Sequence, residues 1–152
     1  MQRLYTAAFT YAIAGLASGL YYRELTTLND FEGQRTMLSG VHTHLLALGT
    51  LVLLIVLVLE KVFRLSGSRM FGWFFWSYNV ALVVTAMMMG WHGTLTVLGR
   101  ESGAAIAGMA GLGHIAMTCA LVLLFLSLGK ALKRDTAAVA GAPDAGRVAV
   151  TS

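Results

Sequence analysis

Residues 38–59 read LSGVHTHLLALGTLVLLIVLVL, a stretch without a formal charge or a proline. A membrane-spanning helix takes roughly 20 apolar residues at about 1.5 Å rise each, so this segment predicts a spanning helix. It also carries His42 and His44. A histidine placed in hydrocarbon costs free energy unless a partner holds it. One segment therefore speaks to both architecture and chemistry.

Three further apolar stretches flank it. The expected helices run approximately Leu4–Tyr22, Leu38–Leu59, Phe71–Leu98 and Gly103–Leu132, the first being the least apolar. The 152 residues are 57% hydrophobic and 12% charged, with a mean hydropathy of +0.73. A soluble domain carries about 25% charged residues, so the composition predicts an all-α membrane protein. The connections are short (Arg23–Met37, Glu60–Met70 and Gly99–Ser102). Short connections make sequential helices antiparallel neighbours, giving an up-down-up-down four-helix transmembrane bundle over 1–135. An Ala/Gly-rich segment with the lone proline, Pro143, predicts a disordered cytoplasmic tail over 136–152.

Charge sets the expected orientation. Arg3, Lys61, Arg64, Arg69, Lys130, Lys133, Arg134 and Arg147 fall on one side of the four-span arrangement, and only Arg23, Arg35 and Arg100 on the other. The positive-inside rule then puts both termini in the cytoplasm of a bacterial inner-membrane protein. The net charge of +4 thus reads as topology; no basic patch is interleaved with aromatics, so nucleic acid is not an expected partner and membrane lipid is. Tyr21-Tyr22-Arg23-Glu24 stands where a signal peptide would need small residues, so no cleavage is expected there. Cys119 is a lone mid-helix thiol and reads as a small core residue. Gly15-x-x-x-Gly19 on the first helix permits close helix contact, either within the bundle or in a homodimer.

All four histidines lie in apolar stretches: His42 and His44 on the second helix, His92 on the third and His114 on the fourth. Measured from the outer helix ends, His42 and His44 lie about 6–9 Å deep, His92 about 9 Å and His114 about 16 Å. Three helices thus deliver imidazoles to the outer half of the membrane. Haem iron accepts axial histidines, and four-helix bundles build cofactor sites from facing helices. His42 and His44 are about 200° apart around the helix and cannot ligate the same metal. The diagonal pair His44 and His114 is the expected clamp on a haem b iron. His42 would serve a second haem, opposite His92 or with an open position. Gly40, Gly49, Gly111 and Met117 are small or soft neighbours that would leave room for a flat macrocycle.

The segment Val41-His42-Thr43-His44-Leu45-Leu46-Ala47-Leu48-Gly49 resembles the His-x-His-x-x-x-x-Gly element of haem–copper oxidase subunit I. That resemblance implies a high-spin-like site at His42 and a low-spin-like site at His44. Gly113-His114-Ile115-Ala116-Met117 resembles the element completing the low-spin pair. The chain departs from that family in having too few histidines for a copper centre beside two haems, and no Asp, Glu or Lys at depth for a proton path. A proton-pumping oxidase is therefore not expected. Taken whole, the chain resembles a family of small uncharacterised four-helix bacterial membrane proteins. The expected function is electron transfer or diatomic gas binding by a membrane b-type haemoprotein, with a redox partner or quinone, rather than an enzyme acting alone. The alternatives are a copper or haem carrier using His and Met, and a cofactor-free accessory subunit.

Overall fold

The computed structural model describes the backbone of residues 1–100 and 104–140, with side chains for 1–100 and 111–137. Among the described residues the chain is helical, without strands. Helix α1 spans Gln2–Leu28, α2 Leu38–Phe63, α3 Arg69–Val97 and α4 Ala104–Ala140, with a short 3-10 turn at Leu65–Gly67. α4 thus runs into the stretch expected to form a tail, and 141–152 lie outside the described residues.

Three helices are long and apolar enough to cross a membrane: α2, α3 and the Gly111–Ala137 part of α4. α1 has the length but not the apolarity, because Gln2, Arg3, Thr6, Thr10, Ser18, Arg23 and Glu24 interrupt its run. It is nonetheless two-faced. Leu4, Ala8, Tyr11 and Gly15 are buried at helical spacing, while Tyr5, Phe9, Ile13, Leu16 and Leu20 point outward. The outward faces of the other helices are equally apolar, including Leu54, Ile55 and Val58, Trp73, Trp76 and Val80, and Leu112, Ile115 and Phe125. Helices apolar on every side are those of a large core or a membrane span.

Glycines set the helix contacts. Where the surroundings are as apolar as leucine, association depends on close packing at small residues. A Cβ at Gly15 would lie 2.8 Å from the Leu46 side chain, and one at Gly49 would lie 2.6 Å from Tyr11. Gly19 faces His42 in the same seam. These pairs run in opposite directions along α1 and α2. The small-residue face of α1 is therefore filled by α2 of the same chain. Between α2 and α3, Gly93 lies against the Leu38 backbone and Gly40 against Met89. Between α3 and α4, Gly113 lies against Thr85, and the Ser68 and Ser127 hydroxyls meet at 3.2 Å. The deepest core, Leu53, Val56, Phe74, Tyr78, Leu82 and Ala120, joins α2, α3 and α4. The result is an α1–α2 pair and an α3–α4 pair, packed chiefly through α2 and α3.

α2 is not a uniform helix. Residues Leu45–Leu51 form a π-helical segment between α-helical Leu38–His44 and Val52–Phe63. Wider turns loosen the usual backbone ladder, and in an apolar medium each loosened group needs a partner. Tyr78 Oη donates to the Leu48 carbonyl at 2.9 Å, and Thr50 Oγ1 lies 3.3 Å from the Leu45 carbonyl and 3.4 Å from that of Ala8. Tyr11, wedged against Gly49, donates to Asn79 Oδ1 at 2.8 Å. Tyrosines from α1 and α3 thus brace the π segment from two sides.

Two outcomes are expected. Gly93→Ala drives a methyl into the Leu38 backbone and should lower stability by about 1–3 kcal/mol, whereas Gly90→Ala, which meets open space, should be neutral. Thermal unfolding in detergent distinguishes them; equal midpoints would contradict the close α2–α3 contact. Tyr78→Phe removes one hydrogen bond to the π segment and should cost about 1 kcal/mol, read as faster amide exchange within 45–51. Unchanged exchange there would remove the bracing role.

Candidate functional site: an imidazole pair between two helix hairpins

His44 points from α2 toward α4, and His114 points from α4 to meet it. Their ring centres are 6.1 Å apart, with the planes at 86° to one another. The structure brings these two histidines together across the seam between the hairpins. α2 and α4 approach closely only through the Val52–Phe63 part of α2, among the described residues. At the level of His44 the two helices are therefore joined by the imidazoles and not by backbone packing.

The local backbone orients His44. Its Nδ1 lies 2.9 Å from the carbonyl oxygen of Gly40, one helical turn back. A carbonyl only accepts, so Nδ1 carries the proton, and in the neutral ring Nε2 keeps the lone pair. Metal-binding histidines commonly have this arrangement, one ring nitrogen donating to a backbone carbonyl while the other ligates. Gly40 serves a second purpose: a side chain there would collide with Met89 Cε, which packs beside His44. His44 is half-buried and His114 is exposed on the lateral surface.

The other expected site residues fall in different surroundings. His42 turns to the opposite face of α2, toward Gly19 of α1. Its Nδ1 is buried without a hydrogen-bond partner, as is Thr85 Oγ1, which lies against Gly113. His92 lines a cleft of about 310 Å³ with Arg35, Thr36, Met37 and Thr96 at the end of α3. Gly49 is occupied by Tyr11, so its small size serves helix packing. Gly111 faces open space on the lateral surface of α4, and Met117 is buried in the core.

The fit to a metal can be weighed on distances. An imidazole nitrogen binds a metal at about 2.0–2.1 Å. Two imidazoles on opposite sides of one metal therefore have nitrogens about 4 Å apart and ring centres about 6 Å apart. The observed 6.1 Å matches that span. It also falls within the range of an ordinary edge-to-face ring pair, so the His44 hydrogen bond and the lack of close backbone packing at that level carry the rest of the weight. Among the described residues no group of three or more His, Cys, Asp or Glu stands ready to hold a metal ion. A two-histidine site therefore suits a metal that arrives with ligands of its own.

Sequence reasoning missed the π segment and its two tyrosines, Tyr11 and Tyr78. A single π stretch has no sequence period to betray it. The available signal was Thr50 and Gly49 following a His-x-His run, which marks polar and small residues inside an otherwise continuous apolar helix.

No curated protein and no solved structure matches the chain. One family does match, and none of the comparisons supports the likeness to haem–copper oxidases. The match covers residues 1–131, and the chain belongs to the family described as a protein of unknown function (DUF2871).

Proposed function

We propose that this chain is a membrane b-type haemoprotein in which His44 and His114 are the two axial ligands of one haem. The observation that carries the reading is their apposition at 6.1 Å across the seam, with His44 held as the tautomer whose Nε2 accepts a metal. Haem, when bound, supplies a one-electron iron couple with four of the six ligand positions already filled. His44 and His114 would hold the iron from two helices and leave no room on it for a small ligand, which favours electron transfer over gas binding. The Gly40 carbonyl fixes the His44 ring through its Nδ1.

His42 has a buried Nδ1 without a hydrogen-bond partner, which favours a second binding position on the α1 side of α2. In this reading His42 would serve a second haem, either with His92 opposite it or with one position left open to O2, NO or CO. Copper carriage is less well supported, since no described cluster offers three donors. The bundle spans a bacterial inner membrane with both termini in the cytoplasm; the charge asymmetry and the apolar outward face of α1 support four crossings. The electron partner is a membrane quinone or a redox protein.

The test is an optical spectrum of the purified protein, oxidised and then reduced, with and without CO. His44→Ala and His114→Ala should each abolish the low-spin bands, and His92→Ala should spare them. Survival of those bands in both of the first two variants would overturn the ligand assignment.

A further inference from the structure

The end of the bundle away from the histidines holds a second, differently built cavity. α2 ends at Arg64, whose φ of 50° puts it in the left-handed region. The chain then turns through Leu65–Gly67, and Ser68 caps α3 by accepting from the Phe71 N–H at 3.2 Å. A cavity of about 210 Å³ sits in this corner, lined by Arg64, Gly67 and Ser68 on one side and Ser127, Lys130 and Arg134 of α4 on the other.

Three cations from two elements converge there, and no acidic side chain lines the cavity. Of the neighbouring acids, Glu60 is engaged by the backbone and Asp135 pairs with Arg134 itself. The Glu60 carboxylate accepts from the Ser66 N–H at 2.7 Å, and Asp135 lies 3.4 Å from Arg134 Nε where both are well exposed. The cations are also held in place. Arg134 donates to the Phe63 carbonyl at 2.8 Å, and Lys130 Nζ rests 3.2 Å from Met70 Sδ, a weak acceptor that supplies no charge. Two hydroxyls, on Ser68 and the 2%-exposed Ser127, add hydrogen-bonding capacity. The N-terminus of the long helix α3 opens at the same point, and such ends favour anions.

The position narrows the ligand. The cavity lies at the end of the bundle richest in Lys and Arg, where spanning proteins meet the anionic leaflet. Outward-facing Trp73 and Trp76 follow within the first turns of α3, as suits a helix end at a membrane interface. A ligand suited to both surroundings has a phosphate head and hydrocarbon tails. We propose that this cavity binds the phosphate group of an anionic phospholipid, gripped by Arg64, Lys130 and Arg134. The proposal rests on the membrane reading and is independent of haem.

The experiment is native mass spectrometry of the full-length protein released from nanodiscs of mixed phosphatidylglycerol and phosphatidylcholine. The wild type should retain phosphatidylglycerol preferentially. Lys130→Gln and Arg64→Asn (Asn tolerates the left-handed backbone) should each weaken retention about fivefold. Lys130→Arg should preserve it, which separates loss of charge from loss of fold. Equal retention of the two lipids, or undiminished retention in both neutralised variants, would overturn the proposal. Displacement of the lipid by millimolar inorganic phosphate alone would also overturn it, by showing a site for free anions.

Discussion

Close approach at glycine is the constraint on which the rest of the molecule depends. In an apolar solvent there is little to gain by hiding one leucine behind another, so helices associate where backbones come near enough for dispersion and hydrogen bonds to act. Gly49 admits the Tyr11 ring, Gly93 admits the Leu38 backbone, and Gly113 admits Thr85. Each contact fixes the register of one helix pair. Together they set the rotation of α2 and α4, and hence the direction in which His44 and His114 project.

The π segment belongs to the same logic. Its wider turns fall directly after His44, so helical phase is readjusted between the histidine and the Val52–Phe63 stretch that packs on α4. Local departures from α geometry often accompany functional positions. Here the departure is tied down by Tyr78 and Tyr11, which hydrogen-bond the Leu48 carbonyl and Asn79. A polar brace across three helices thus stands beside the imidazole pair, and the seam beyond it remains open.

Much of this was legible in the amino-acid order. The apolar run through Leu38–Leu59, interrupted only by small and polar residues, marks a helix whose end the structure extends to Phe63. The juxtaposition of His44 and His114 follows from short loops and a diagonal, two properties visible without coordinates. Other parts were not legible. Gly40 and Gly49 look alike in sequence, yet one flanks His44 and the other receives Tyr11, because only packing tells which neighbour a missing side chain admits. α1 reads as a weaker span because polar residues dilute its average, whereas Tyr5, Phe9, Ile13, Leu16 and Leu20 form an outward apolar stripe beside exposed Thr6 and Thr10. The cationic corner escaped notice because Arg64 and Lys130 lie far apart along the chain and meet only through the turn at Leu65–Gly67.

The most direct measurement is electron paramagnetic resonance of the oxidised protein, purified from cells grown with ample iron and haem precursor. Two imidazoles whose planes stand near 86° should give a low-spin ferric signal of strong anisotropy, because perpendicular axial rings leave the iron orbitals nearly degenerate. A signal of that kind, in proportion to protein, is the expected result. A high-spin signal alone, or the absence of any haem iron, would contradict the axial pairing of His44 with His114.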